Sequence, residues 1–398
     1  MKVVVLSNDF RVYWKGRLTF LRSFLLEKKI ELYAVELFGK GSPYAFDTYN
    51  NTNTWWACLF PNSEARELSK TSIESSLNDM LDNICPDIVI ASPITFFAGA
   101  LGLRWVKHNR KKIVFFDDAK PLSQFKRNFL VRAVRDMLTK QADALWLPSK
   151  DYDNAYPKLS KKDIVFFYGY NCVDNDRFKR DEVNAIDHHV IICVARLVPI
   201  KNIKRLLRAW KLVEQTDTKY RLLIIGDGPD KEDLLKLSLE VALKRVTFSG
   251  AISNEEISDY YDSSDALVLP SLSETWGLVI NEAMASGLPV LLSNRVNAAQ
   301  TLLNEGYNGF SFDPFNVADI AETLISYIRL SSSQKRSMSA QSIQIINNMS
   351  YEQMGIQLAD ALPKIMYKKF RRPGTLAAAA ITLWDGKHDT SAWDKLSV

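Results

Sequence analysis

A chain of 398 residues exceeds the ~250–300 residues at which single cores stop growing, so two domains are expected. With 47% hydrophobic and 24% charged residues, 16 Gly and 14 Pro, the composition is globular and excludes disordered, collagen-like and disulfide-scaffold chains. The net charge of +5, from 51 basic and 46 acidic residues, is too small an excess to argue for nucleic acid.

In chain order, short apolar runs alternate with helix-like segments. Strands are predicted at Val3–Leu6, Leu32–Val35, Ile88–Ala91, Ile113–Phe116, Ala144–Leu147 and Ile164–Phe167. A second series follows at Val190–Ala195, Leu222–Ile225, Val246–Phe248, Ala266–Leu269 and Val290–Leu292. Their near-continuous hydrophobicity suits strands buried on both faces, and the intervening Leu68–Ile84, Ile203–Val213 and Lys231–Leu243 have helical periodicity. Repeated βαβα order, occurring twice, predicts two doubly wound α/β domains of Rossmann type. The polar stretch Asn171–Asp187 marks the boundary. The expected division is 1–180, 181–365 and a tail 366–398, with ligands in a cleft at the carboxyl ends of both sheets.

No stretch approaches the ~20 apolar residues needed to span a bilayer. Lys2 is followed only by Val3-Val4-Val5-Leu6 before Ser7-Asn8-Asp9, unlike a signal peptide, so a cytoplasmic location is expected. The cysteines (Cys58, Cys85, Cys172, Cys193) form no CxxC pair, and the histidines (His108, His188, His189, His388) form no HxxxH or HExxH. A zinc, redox or His-rich metal site is therefore not expected.

The most informative stretch, Ser273 to Val290, follows the strand Ala266–Leu269. Gly277 opens a helix, and Gly287 and Pro289 end it. The backbone N–H groups of Gly277, Leu278 and Val279 then form an anion site suited to a diphosphate. Glu274 in the loop and Glu282 in the helix can serve the same ligand through sugar hydroxyls; the alternative is two solvated acids beside a helix cap. Arg196 and Lys201 leave the strand Val190–Ala195 together, a cationic pair for pyrophosphate. Gly226-Asp227-Gly228-Pro229 is a tight turn at a strand end, although Lys231 breaks a GxGxxG pattern. Asn171-Cys172-Val173-Asp174 through Phe178 ends the first half.

The ordered set N-x-V-D-x-x-x-F, R-x4-K, G-D-G-P and E-x7-E with a G-L-P tail resembles the family 4 retaining glycosyltransferases of the GT-B fold, over roughly Met1 to Ser350. The resemblance implies that Arg196 and Lys201 hold the donor diphosphate, Glu274 contacts the donor sugar and Glu282 binds the ribose. It also implies that backbone at Gly250, Ala251 and Ile252 meets the base, and that Gly226 and Gly228 belong to the donor site. The family's phosphate-facing loop after the first strand reads Trp14-Lys15-Gly16-Arg17 here, carrying over only Gly16. Where many members have a histidine, this chain has Asp117 and Asp118, which either assist the acceptor hydroxyl or cap the next helix.

The resemblance further implies a nucleotide-sugar donor, UDP before GDP, and a carbohydrate or lipid-linked glycan acceptor of cell-surface polysaccharide or lipopolysaccharide. No metal cofactor is implied; the alternative uses Asp174 and Asp176 as a metal-binding DxD pair. A non-catalytic sugar-nucleotide or carbohydrate-binding protein of the same fold is the other reading. The basic amphipathic segment Leu122–Gln141, with Lys126, Arg127, Arg132, Arg135 and Lys140, suits an anionic membrane face or is simply a solvated helix. A second basic cluster is Lys364, Lys368, Lys369, Arg371 and Arg372. Beyond Arg372 the tail, with Trp-Asp pairs at Trp384 and Trp393, matches no family element.

Overall fold

The structure is a computed structural model that describes residues 1–10, 13–40, 53–118, 129–157, 159, 163–179, 188–217 and 219–386. Among these residues the chain forms two compact units. The first holds Met1–Tyr170 and the described residues from Tyr351 onward; the second holds Asn171–Ser350.

The first unit is built on a seven-stranded sheet: β1 (Lys2–Ser7), β2 (Glu31–Phe38), β3 (Trp56–Phe60), β4 (Ile88–Ala91), β5 (Lys112–Phe116), β6 (Ala144–Leu147) and β7 (Val165–Tyr168). Its order is β3-β2-β1-β4-β5-β6-β7, with every pair parallel. Val3, Val4, Val5 and Leu6 are wholly buried, as a central strand covered on both faces requires.

The second unit has six strands: β8 (Val190–Val194), β9 (Arg221–Ile225), β10 (Val246–Gly250), β11 (Ala266–Leu269), β12 (Val290–Ser293) and β13 (Gly309–Phe312). The order β10-β9-β8-β11-β12-β13 is that of a dinucleotide-binding sheet, and it reverses between β8 and β11. On one side the helix Ile203–Thr216 buries Leu206, Leu207, Trp210 and Val213, a 3.6-residue stripe, with Ile320 and Leu324 of the helix Val317–Ile328.

All eleven strands expected from sequence are present; β3 and β13 are additional. The division of the chain differs from the expected one at both ends. The first unit stops at Tyr170, ten residues before the expected 180, and residues 180–187 lie outside the described set. The helix Tyr351–Tyr367 packs on the helix Trp14–Leu26 and on β7, and belongs to the first unit where the second was expected. Glycine permits this packing, because Gly355 lies under the Phe24 ring, where a Cβ would stand only 2.8 Å away.

The described part of the tail also docks on the first unit. Arg104 donates from Nη2 to the Thr382 carbonyl at 2.9 Å and from Nη1 to Glu74 at 2.6 Å, and it reaches Asp385 at 3.3 Å. Lys70 also pairs with Asp385, at 2.5 Å, and the Trp384 indole donates to the Ile94 carbonyl at 2.7 Å. Trp393 lies outside the described residues.

Candidate active site

Ligands of parallel sheets bind outside the carboxyl ends of the strands where the order reverses. In the second unit that point lies between β8 and β11, and the chain segments leaving these strands carry Arg196, Lys201, Glu274 and Gly277.

The Arg196 loop is clamped to the glycine turn after β9. The Ala195 N–H donates to Ile225 at 3.0 Å, Leu197 N–H to Asp227 at 2.9 Å, and Asp230 N–H to Leu197 at 3.0 Å. The two chains approach so closely that a Cβ at Gly226 would overlap the Ala195 carbonyl oxygen, and one at Gly228 would overlap that of Leu197. Both glycines are therefore accounted for by the protein's own backbone. The hydrogen bond from Lys231 and that from the Gly228 N–H hold the Asp227 carboxyl below its usual pKa.

Beyond Arg196 the chain makes a 3-10 turn at Pro199–Lys201 and enters the left-handed region at Asn202, φ 60°. The Asn202 amide donates to the Pro270 and Pro314 carbonyls at 3.0 and 2.8 Å, and Leu272 N–H donates to Ile200 at 2.8 Å. These bonds fasten the Lys201 turn to the loop after β11. Lys201 and Glu274 form an ion pair there, largely shielded from solvent.

Gly277, at φ 91°, is the N-cap of the helix Leu278–Ala285, and the left-handed backbone favours glycine. Leu278 and Val279 begin the helix, so their N–H groups have no preceding helical carbonyl. Trp276 donates through its indole to Asn281 at 2.8 Å, and Asn281 donates to the Asn171 carbonyl at 3.1 Å. This ties the helix to the start of the N-x-V-D element. Glu282 is only 2% exposed, and its Oε2 accepts from the Tyr261 hydroxyl at 2.8 Å. Gly250 closes β10 with φ 75° and accepts from the Gly226 N–H at 2.8 Å; Ala251 and Ile252 follow it. Asp174 and Asp176 are exposed at the one-turn helix Asn175–Phe178.

In the first unit the outcome is different. Gly16 lies within the helix Trp14–Leu26 instead of a phosphate-facing loop, and its missing Cβ leaves room for the Tyr351 hydroxyl. Asp117 is buried beyond the end of β5 and accepts from the Tyr156 hydroxyl at 2.5 Å. Burial, then the Asp117 charge and this hydrogen bond, push the Tyr156 phenol well above its ordinary pKa, so it stays protonated. Asp118 follows, half-buried. Asp117 and Tyr156 line a cavity of about 250 Å³ together with Pro93, Ile94, Arg132 and Arg135.

The expected basic helix is described as Phe129–Thr139, and Lys126 and Arg127 lie outside the described residues. Its leading Phe129 and Leu130 are 77% and 67% exposed. The second basic cluster is partly spent on the protein's own carbonyls: Lys368 donates to Asp163 at 2.7 Å, and Arg371 to Ala142 at 2.5 Å. No helix among the described residues is long and apolar enough to cross a membrane.

Sequence reading passed over Asn202, Tyr261, Asn281 and Tyr156. Asn202 adjoins Lys201 in the motif, but Tyr261 and Tyr156 sit at no spacing that announces a partner.

A dinucleotide-type sheet thus carries a cationic loop, Glu274 and a glycine-started helix beside its reversal point. Residues 174–344 match the family model of glycosyl transferases group 1. The chain is 35% identical over 159 residues to the sulfoquinovosyl transferase SQD2 of Arabidopsis thaliana, covering 38% of this chain and 30% of that protein. It spans less than two thirds of the length of the curated relatives it matches first. Among solved structures it resembles sucrose-phosphate synthase from Thermosynechococcus elongatus, with TM-score 0.71 and 17% identity over 92% of this chain and 99% of that one. It also resembles Anabaena HepE in complex with UDP and glucose, with TM-score 0.68 and 17% identity over 92% and 100%. The family match lies within the second unit, and the likeness to the solved structures shows that the fold is GT-B.

Proposed function

We propose that the chain transfers a sugar from a nucleotide diphosphate donor to a carbohydrate acceptor. The observation that carries this reading is the convergence of Arg196, the Lys201–Glu274 pair and the Gly277 helix start at the β8/β11 reversal. In this reading Arg196, Lys201 and the Leu278 and Val279 N–H groups stabilise charge as it develops on the leaving diphosphate. Glu274 orients the donor sugar, and Glu282 accepts from the ribose. UDP is favoured over GDP, in keeping with the UDP bound to HepE.

The acceptor hydroxyl attacks from the face the diphosphate leaves, a phosphate oxygen takes its proton, and anomeric configuration is retained. Cationic side chains and helix dipole supply the stabilisation that a metal would otherwise provide. The acceptor belongs to the first unit, whose cavity contains Asp117. Exposed Phe129 and Leu130 at the head of a helix that bears Arg132 and Arg135 and is followed by Lys140 support a peripheral, salt-sensitive stay on an anionic membrane, with a cell-surface glycan as acceptor.

Release of UDP from a panel of UDP-hexoses, with and without a membrane glycolipid extract, tests the reading. Acceptor-stimulated release that persists in EDTA is expected. Binding of UDP without release under any condition would favour a non-catalytic sugar-nucleotide-binding protein instead.

A further inference from the structure

Glu282 poses a physical problem. A carboxylate almost removed from water needs hydrogen-bond donors, and its orientation decides whether it can also meet a ligand. The Tyr261 hydroxyl provides one donor, at 2.8 Å to Oε2. Tyr261 itself is 0% exposed, in the helix Ile257–Asp262 that leads into β11. The Phe178 ring packs edge-on against it, with centroids 6.1 Å apart and planes at 70°. Phe178 ends the N-x-V-D-x-x-x-F element, so two parts of the sequence with no evident common purpose meet on one carboxylate.

We propose that Tyr261 is a positioning residue: its hydrogen bond to Oε2 holds the Glu282 side chain in the orientation in which the carboxylate meets the ribose hydroxyls of a nucleotide. This rests on the donor reading above. It assigns to Tyr261, and through it to Phe178, a share in donor recognition without contact to the donor. A phenol suits the task because it donates one hydrogen bond from a ring that packing holds rigid. A phenylalanine would keep the packing and lose only the donor.

The experiment compares UDP with 2′,3′-dideoxy-UDP by calorimetric titration, in wild type and in Tyr261→Phe. Wild type is expected to prefer UDP by about tenfold to a hundredfold, the range of a hydrogen bond to a charged group. In Tyr261→Phe the preference should shrink to about threefold or less, through weaker UDP binding and unchanged dideoxy-UDP binding. A purely structural role would instead weaken both ligands equally. Glu282→Gln should abolish the preference, and adding Tyr261→Phe to it should change nothing further.

If Tyr261→Phe fails to fold, Phe178→Leu, which loosens the ring and keeps the hydroxyl, should lower the preference in the same direction. A wild-type preference retained in the folded variants, or an equal loss for both ligands, overturns the proposal alone. Absence of UDP binding or of a ribose preference in wild type overturns the donor reading and this proposal together.

Discussion

Lys201 and Glu274 are paired across the reversal point of the second sheet, linking the loop after β8 to the loop after β11. An arriving diphosphate therefore meets a cation that already has an anionic partner. Replacing Glu274 with Gln removes that competitor and its repulsion of phosphate while keeping the side chain's shape. Glu274→Gln is expected to bind UDP at least as tightly as wild type while turnover falls at least tenfold, because the donor sugar loses its carboxylate. Parallel loss of UDP affinity would show that Glu274 supports the site only structurally.

The glycine turn after β9 predicts a stability effect. A Cβ at Gly226 would overlap the Ala195 carbonyl, and φ there is 139°, a backbone conformation that L side chains rarely adopt. Gly226→Ala should cost about 2 kcal/mol or more and disturb the Arg196 loop, lowering both the denaturation midpoint and UDP affinity. Gly374→Ala, where nothing lies within 4 Å of the added Cβ, serves as the control and should be near neutral.

The tail offers a second test of stability. Arg104 holds four residues of it, Ile381, Thr382, Trp384 and Asp385. Trp384 is fixed to Ile94, which lines the Asp117 cavity. Trp384→Phe should cost about 1 kcal/mol, and Arg104→Ala about 2–3 kcal/mol, since the latter also strips Glu74 and Asp385 of a cationic partner. Urea unfolding curves would measure both, and an unchanged midpoint in Arg104→Ala would contradict the docking.

Lys107 predicts a pH dependence. Burial lowers its pKa from 10.5 to about 8, against the opposing pull of Asp143 and aided by Arg371 and Lys112. Below pH 8 both folded and unfolded chains carry the charge, and the folded state bears the full cost of it. Between pH 8 and 10.5 the unfolded chain binds more protons, so this group's contribution makes stability rise with pH, by up to roughly 3 kcal/mol. Lys107→Met keeps an apolar stem near Phe370 and should be more stable than wild type at pH 7. Its stability curve should lack the alkaline rise, and identical slopes in the two proteins would refute the assignment.

Legibility in the sequence followed burial. The strands covered on both faces read as continuous apolar runs and were found. β13 lies at a sheet edge, begins at a glycine and exposes Ser311, so it does not stand out as a core run; β3 is also an edge strand, and beyond Trp56 its apolar residues are only half-buried. The Tyr351–Tyr367 periodicity announces an amphipathic helix but not which sheet it covers; Gly355 beneath Phe24 decides that, and no local pattern encodes it. Arg196, Lys201 and Glu274 stand out in the sequence because they follow apolar strand runs. Gly226 and Gly228 were legible as a turn, while their close approach to Ala195 and Leu197 depends on β8 and β9 being neighbours. Tyr261 and Tyr156 needed the fold before their carboxylate partners could be known.

The central claim, a nucleotide diphosphate site at the β8/β11 reversal, is tested most directly by titrating UDP, GDP and ADP into wild type and into Arg196→Ala, Lys201→Ala and Glu282→Ala. Wild type should bind UDP most tightly. Arg196→Ala and Glu282→Ala should each weaken UDP by about tenfold or more, and Lys201→Ala should additionally depress turnover, since its cation gains strength as leaving-group charge develops. Binding of none of the three nucleotides, or wild-type UDP affinity in all three variants, would contradict the account.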